Sequence, residues 1–373
     1  MRVVLVGNYA PDTQESMARY AHLMRTGLEE RGHEVVLTAP QPVLNQGHAA
    51  RGLWKWVGYA DKYLLGTAPI TRAVRRADVV HVCDHSNAVY VPQCAAVPHV
   101  VTCHDLLAVR GALGEDTDCP ASPAGRLLQR AILRGLRRAQ AIACVSQATL
   151  RDAQRLLGGG YRGRLLTAPN ALNHPYRRLG EEECRSRLAA VPALAGEDYV
   201  LHVGSNLRRK NRETALGALA AVRERWAGRL VFAGQGLSGE LRQQAVDLGV
   251  AERIVEVVKP ANELLEALYN GALALIFPSR FEGFGWPIIE AQACGCPVVC
   301  SDREPLPEVA GGAAIFCSAD DAAGFGRALL ELAADKARRH QLRQAGLGNV
   351  AAYTRAAMIE RFVALYAEVA GGA

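Results

Sequence analysis

Two carboxylates eight positions apart, Glu282 and Glu290, flank a turn that contains Gly283, Phe284 and Gly285. Ionised carboxylates only accept hydrogen bonds, so such a pair suits the neighbouring hydroxyls of a sugar or a ribose. Pro287 stands where a helix would start and Gly295 where it would stop. A helix that begins after glycines offers unpaired N–H groups and the positive end of its dipole, which favour phosphate oxygens and hydroxyls. Glu290 alone has a plainer explanation, an acid offsetting the dipole in the first turn. A further group of chemical interest is His104, which follows an apolar run and precedes Asp105.

These residues need a scaffold, and the chain supplies a regular one. Short apolar runs alternate with longer periodic segments: VVLVG (3–7), a helix over 17–32 with Asp12 and Glu15 as a capping-box-like start, EVVLTAP (34–40), ADVVHVCD (77–84), HVVTCHD (99–105), a helix over 125–139, AIACVS (141–146) and RLLTAPN (164–170). The pattern breaks at 171–195 in an Asn/Pro/Glu-rich stretch. It resumes with YVLHVG (199–204), RLVFAG (229–234), RIVEVV (253–258), LALIFP (273–278), PVVCS (297–301) and AAIFC (313–317), with helices between them. Strands this continuously apolar are buried on both faces, so they predict parallel sheets covered by helices. The fold class is therefore α/β, with two Rossmann-like doubly wound domains in tandem. Ligands of such sheets bind beyond the carboxyl ends of the strands, which predicts a cleft between facing domains with His104 at its edge.

With 373 residues, 50% hydrophobic and 21% charged, the chain has material for two cores and is not disordered. The opening MRVVLVGNY is too short for a signal sequence, and no run approaches the roughly 20 apolar residues that span a bilayer. Ten cysteines are scattered without a CxxC pair and mostly lie in apolar runs, so reduced thiols and a cytoplasmic location are expected, with no structural metal. Charge is uneven: residues 1–180 carry 22 Lys/Arg against 13 Asp/Glu, and the remainder 21 against 24. A basic first half suits an anionic substrate or surface, although dispersed arginines on solvated faces explain such a balance more often. Asp116-Thr117-Asp118 spells a DxD triplet but follows no strand and reads as a solvated turn; Gly158-Gly159-Gly160 lacks the Lys-Ser/Thr of a P-loop.

Residues 277–316, FPSRFEGFGWPIIEAQACGCPVVCSDREPLPEVAGGAAIF, closely resemble the E-x7-E signature of retaining GT-B glycosyltransferases, in the large sugar-nucleotide family four (glycosyl transferases group 1). VGSNLRRKNRETAL (203–216) resembles that family's diphosphate-binding segment, and LVFAGQG the strand and turn after it. VVTCHD, ACVSQAT and APNAL resemble segments of its N-terminal domain, so the resemblance runs over most of the chain.

The resemblance implies that Glu290 binds the donor ribose and Glu282 a hydroxyl of the transferred sugar, with Gly283, Phe284 and Gly285 lining the donor. It gives the diphosphate to Lys210, a role with independent physical sense, because the leaving diphosphate gains charge that a fixed cation stabilises. Arg209 is the candidate second cation; much of the family has an arginine directly after Val-Gly, where this chain has Ser205. His104 is expected beside the transferred sugar, and His104, Lys210 and Glu282 form the catalytic set. The family carries glycines in its first strand-to-helix loop, whereas NYAPDTQES has none after Gly7, so Asn8, Thr13, Gln14 and Ser16 are the acceptor-side candidates.

The domain plan implied is 1–175 for the acceptor side, 176–196 as linker, 197–355 for the nucleotide-sugar donor, and 356–373 as a helix returning to the first domain. The expected reaction is retaining, metal-independent and cofactor-free transfer of a hexose, mannose being the sugar expected, from a nucleoside diphosphate sugar to a glycan, lipid-linked or small-molecule acceptor. The alternatives are a GT-B nucleotide-sugar epimerase and a catalytically inactive GT-B scaffold. No nucleic acid partner is expected. Arg126, Arg130, Arg134, Arg137 and Arg138 share a helix face, and Leu53-Trp54-Lys55-Trp56-Val57 with Tyr59 to Tyr63 mixes aromatic and basic groups. Both suit contact with an anionic membrane at its inner, cytoplasmic face, set against the ordinary polar face of any α/β helix.

Overall fold

The computed structural model describes residues 1–45 and 52–371, apart from the side chains of Leu53 and Lys55, so that part of the aromatic-basic stretch lies outside the described residues. The apolar runs form strands because they can be covered on both faces. In the first unit these are β1 (Arg2–Val6), β2 (Glu34–Thr38), β3 (Val79–Val82), β4 (His99–Cys103), β5 (Ala141–Cys144) and β6 (Arg164–Thr167). They pair in parallel in the order β2-β1-β3-β4-β5-β6. Val4, Val6, Val82, Val101 and Ile142 are sealed from solvent and share a core with Ile132 and Leu136 of the Pro123–Leu136 helix.

The second unit holds β7 (Tyr199–Gly204), β8 (Arg229–Gly234), β9 (Ile254–Val258), β10 (Ala274–Phe277), β11 (Val298–Ser301) and β12 (Ile315–Cys317). Their parallel order is β12-β11-β10-β7-β8-β9. Counted from its own first strand this is 3-2-1-4-5-6, the doubly wound order whose direction reverses between β7 and β10. The first sheet reverses between β1 and β3. At such a point neighbouring loops run to opposite faces of the sheet and leave a crevice at the strand ends.

The chain divides into two compact units, Met1–Asn173 with Arg355–Ala373, and His174–Thr354. The last helix, Arg355–Gly371, thus completes the first unit and buries Ile359, Phe362 and Tyr366 there. Gly27 admits it: a Cβ at that position would stand 2.5 Å from Ile359 Cγ1. Beneath it His81, wholly buried, bonds through Nδ1 to the Tyr366 hydroxyl and through Nε2 to the Thr102 hydroxyl, each at 2.7 Å; the Tyr20 hydroxyl lies 2.8 Å from that of Thr102. Burial holds the His81 pKa down to about 3, so the ring is neutral and donates to one hydroxyl while accepting from the other.

Residues 176–196, read from the sequence as a linker, lie within the second unit. There the helix Glu181–Leu188 is tied to the helix Asn262–Gly271 by Arg187–Glu266 (2.7 Å), and the Leu179 amide donates to Asn270 (2.8 Å). The start of the first helix also departs from the capping-box expectation. Pro11 leads a short 3-10 turn, Thr13 takes a left-handed conformation (φ 53°), and the helix begins at Glu15 without a side-chain cap. Asp12 instead pairs with Lys62 at 2.6 Å.

All ten cysteines are free. In the DxD triplet Thr117 is buried and donates to the Leu107 carbonyl, and no cluster of three metal-capable side chains occurs among the described residues. No described helix is long and apolar enough to cross a membrane.

Candidate active site

The reversal point of the second sheet gathers the residues singled out from the sequence. β7 delivers Arg208–Lys210 as a single 3-10 turn, and β10 delivers the loop holding Glu282. Asn211 closes the turn in a left-handed conformation (φ 55°), which asparagine tolerates better than most residues. Fully buried, its amide donates to the carbonyls of Pro278 (3.0 Å) and Ala319 (2.7 Å), and the Arg280 amide donates to the Arg209 carbonyl at 2.8 Å. The two loops are thereby stitched together.

Across that seam Lys210 Nζ lies 2.6 Å from one Glu282 oxygen and Arg209 Nη1 lies 3.0 Å from the other. Arg209 also donates to the Phe281 carbonyl at 2.9 Å, which fixes its fork. The Glu282 side chain is 7% exposed. Burial alone would raise its pKa, but Lys210 and then Arg209 more than reverse this and bring it down to about 2. Glu282 is therefore ionised at every physiological pH.

Gly285 caps the Trp286–Ala293 helix with φ 105°, and a Cβ there would stand 2.8 Å from Leu306 Cδ2, so only glycine fits without strain. Gly283 and Phe284 are buried beside it. Glu290 sits one turn into the helix, 4% exposed, and accepts the Tyr269 hydroxyl at 2.8 Å. Its place in the second turn, with a buried phenol as partner, sets aside the plain reading as a first-turn acid. Arg212, also nearly buried, donates to the carbonyls of Gly204 (2.7 Å) and Gln235 (2.9 Å) while its guanidinium lies over the Phe232 ring, so it holds the loops after β7 and β8.

The reversal point of the first sheet carries a second polar cluster. Asn8, just beyond β1, donates to Asp84 (2.5 Å) and contacts Gln14, while Asn87 donates to Asn8 at 3.1 Å. Thr13 and Ser16 are exposed. His104, 7% exposed at the end of β4, has Nε2 2.9 Å from the Cys83 carbonyl and its ring edge-on to Tyr20. A carbonyl only accepts, so Nε2 carries the proton. Burial lowers the His104 pKa despite the opposing influence of Asp84, which leaves Nδ1 as the acceptor of a neutral ring.

Sequence reasoning missed Tyr269, Arg212, Asp84 and Asn87. Asp84 had a usable signal, a carboxylate directly after a continuously apolar strand, the same placement that drew attention to His104. Arg212 and Tyr269 had none, since each reads as an ordinary helix residue.

Two family models match successive stretches of the chain: Glycosyltransferase Family 4 over residues 17–174 and Glycosyl transferases group 1 over residues 197–335. The chain belongs to glycosyltransferase family four. Among curated family members, the O-antigen chain mannosyltransferase B of Escherichia coli is 30% identical over 228 residues, 60% of this chain and 59% of that protein. The D-inositol 3-phosphate glycosyltransferase of Nocardia farcinica is 30% identical over 296 residues, 74% of this chain and 63% of that protein. The matched stretch thus spans less than two thirds of each. Among solved structures, sucrose-phosphate synthase from Thermosynechococcus elongatus superposes with a TM-score of 0.80 at 19% identity, covering 100% of both chains. Anabaena HepE, solved with UDP and glucose, gives 0.77 at 14% identity over 99% of this chain and 100% of its own. At these identities the likeness is one of fold, and it is the GT-B fold.

Proposed function

We propose that this protein transfers a hexose from a nucleoside diphosphate sugar to an acceptor hydroxyl, with retention at the anomeric carbon and no essential metal. The observation that carries the reading is the Arg209–Lys210–Glu282 cluster at the reversal point of the second sheet, one short loop from the buried Glu290. An ammonium has three donors and a guanidinium five, so both cations can hold Glu282 and a diphosphate together. Glu282, permanently ionised, accepts hydroxyls of the sugar; Glu290 accepts those of the ribose. Amides of the Gly283–Gly285 turn add donors at the start of the helix.

In the reaction the bond from the anomeric carbon to the diphosphate oxygen breaks, and the acceptor oxygen bonds to the same carbon. The acceptor's proton passes to the departing phosphate. Lys210 and Arg209 stabilise the charge that gathers on the leaving group, and Nδ1 of neutral His104 accepts from a hydroxyl of the sugar. Asn8, Thr13, Gln14 and Ser16 belong to the acceptor side. Mannose is the sugar proposed, on the strength of the Escherichia coli relative's name, and UDP is one candidate nucleotide because HepE was solved with it.

A thermal-shift panel of UDP, GDP, ADP and their sugars identifies the donor, since a ligand of the native state raises the melting temperature. Nucleotide release dependent on an added acceptor, unaffected by EDTA and reduced mainly in kcat by Lys210→Ala, is the expected result. Sugar products formed without acceptor would instead mark an epimerase, and no turnover of any donor an inactive scaffold.

A further inference from the structure

The second unit contains a cavity of about 700 Å³ that the proposed chemistry does not use. It lies at the edge where the strands begin: its walls include Gly271 just before β10, Gly295 just before β11, and Leu194 to Gly196 ahead of β7. Lys210 and Glu282 follow the opposite ends of β7 and β10. One strand length separates the two places, roughly 13–20 Å at the usual rise per residue.

Three arginines line this cavity, Arg178, Arg185 and Arg343, against a single carboxylate, Glu181. Arg178 and Arg343 close on the same glycine: a Cβ at Gly295 would meet Arg178 Cδ at 3.0 Å and Arg343 Cγ at 3.2 Å. Arg343 Nε donates to the Gly295 carbonyl at 3.0 Å, which pins the guanidinium, and its two terminal nitrogens have no protein acceptor among the described residues. Burial, and then the neighbouring charge of Arg178, lower the Arg343 pKa. Neither Arg178 nor Arg185 has a carboxylate partner among the described residues. Arg178 and Arg185 are exposed at the mouth, whereas Arg343 is half-buried. The inner walls, by contrast, are apolar, from Leu179, Leu188, Val191 and Leu194.

Arg178 and Arg343 lie close together without a counter-ion, and an oxyanion relieves such repulsion while matching the planar donor fork. A volume of this size holds a small organic ligand, and the apolar walls require that it carry an apolar body. We propose that this cavity binds a small organic phosphate, its phosphoryl group between Arg178, Arg185 and Arg343 and its apolar part against the leucines. The site is separate from the donor site and does not depend on the reading given to that site.

The test is calorimetric titration of the whole chain with phenyl phosphate as probe. Wild-type protein and Lys210→Ala should both bind it, and an Arg178→Gln/Arg185→Gln/Arg343→Gln variant should bind at least tenfold more weakly. Inorganic phosphate should bind more weakly than phenyl phosphate, because it leaves the apolar wall unfilled. Cys184, a half-buried member of the same lining, gives a second readout in the unmodified protein: phenyl phosphate should slow its alkylation, measured by mass spectrometry, without slowing that of Cys317. Binding lost in Lys210→Ala but kept in the arginine variant would overturn the proposal, as would benzoate binding as well as phenyl phosphate, or unprotected Cys184.

Discussion

Glu290 and Glu282 are both buried carboxylates, yet each answers to a different neighbour, and substitutions should separate them. Glu290 accepts the hydroxyl of buried Tyr269, so Glu290→Ala removes the proposed ribose contact and also strands a phenol, at a cost of about 1–3 kcal/mol in stability. Glu290→Gln keeps an acceptor for Tyr269. It should melt near the wild type while donor affinity falls on the order of tenfold or more, measured by titration with the donor nucleotide. Equal affinity in a folded Gln variant would remove Glu290 from the ribose. Glu282 titrates about 2 in the fold against 4.5 when free, so its contribution is complete above pH 4.5 and is lost as pH falls toward 2. The stability gap between wild type and Glu282→Gln, from urea unfolding, should narrow by about 2 kcal/mol between pH 7 and pH 3. A gap independent of pH would show that the pairs with Lys210 and Arg209 do not act as drawn. Glu282 was legible in the sequence as a carboxylate beside a glycine turn, and Lys210 and Arg209 through the resemblance of 203–216 to the family's diphosphate-binding segment. Tyr269 was not, because its partner is fixed by how two helices pack, and a tyrosine among leucines looks like core.

The Pro123–Leu136 helix buries Ile132 and Leu136 and exposes Arg126, Arg130 and Arg134, none of which has an acidic partner among the described residues. Leu127 on the same outward side is 64% exposed, and in the aromatic stretch Trp56 is 61% exposed. An apolar side chain among unneutralised arginines suits a lipid headgroup boundary. The expected outcome is co-sedimentation with anionic but not neutral liposomes at low salt, reduced several-fold in Arg126→Gln/Arg130→Gln/Arg134→Gln. Equal recovery from both liposomes would leave a soluble acceptor. The strands were readable because continuous apolar runs are rare outside parallel sheets. Helix boundaries were less so: at 10–15 the local preferences of Pro11 and the left-handed Thr13 override the Asp12 cap signal. The polar composition of 176–196 marked exposure, which the sequence reading equated with separateness. The Glu181–Leu188 helix is exposed and still docked through Arg187.

Across the whole molecule, the chain returns after His174–Thr354 to finish its first unit with Arg355–Gly371. Removing residues from 355 onward should expose His81, Thr102 and Tyr20, and it strips Phe362 from the His81 ring on which it stacks at 4.8 Å. Hydrogen exchange of such a truncated chain should show protection lost in β3 and β4 and retained in β7 and β10. Protection unchanged in β3 would mean that the helix is an accessory. The sequence reading already returned 356–373 to the first domain, but the notch at Gly27 and the hydroxyl reaching His81, which seat the helix there, have no signal in the local sequence.

That return also sets an order of events during synthesis. The first unit emerges from the ribosome with His81 lacking one hydroxyl partner and a groove along its first helix still open. It stays so while the entire second unit is made and can close around its own core. Only when Phe362 and Tyr366 appear can the first unit reach its final form, so of the two units the one made earlier is completed later.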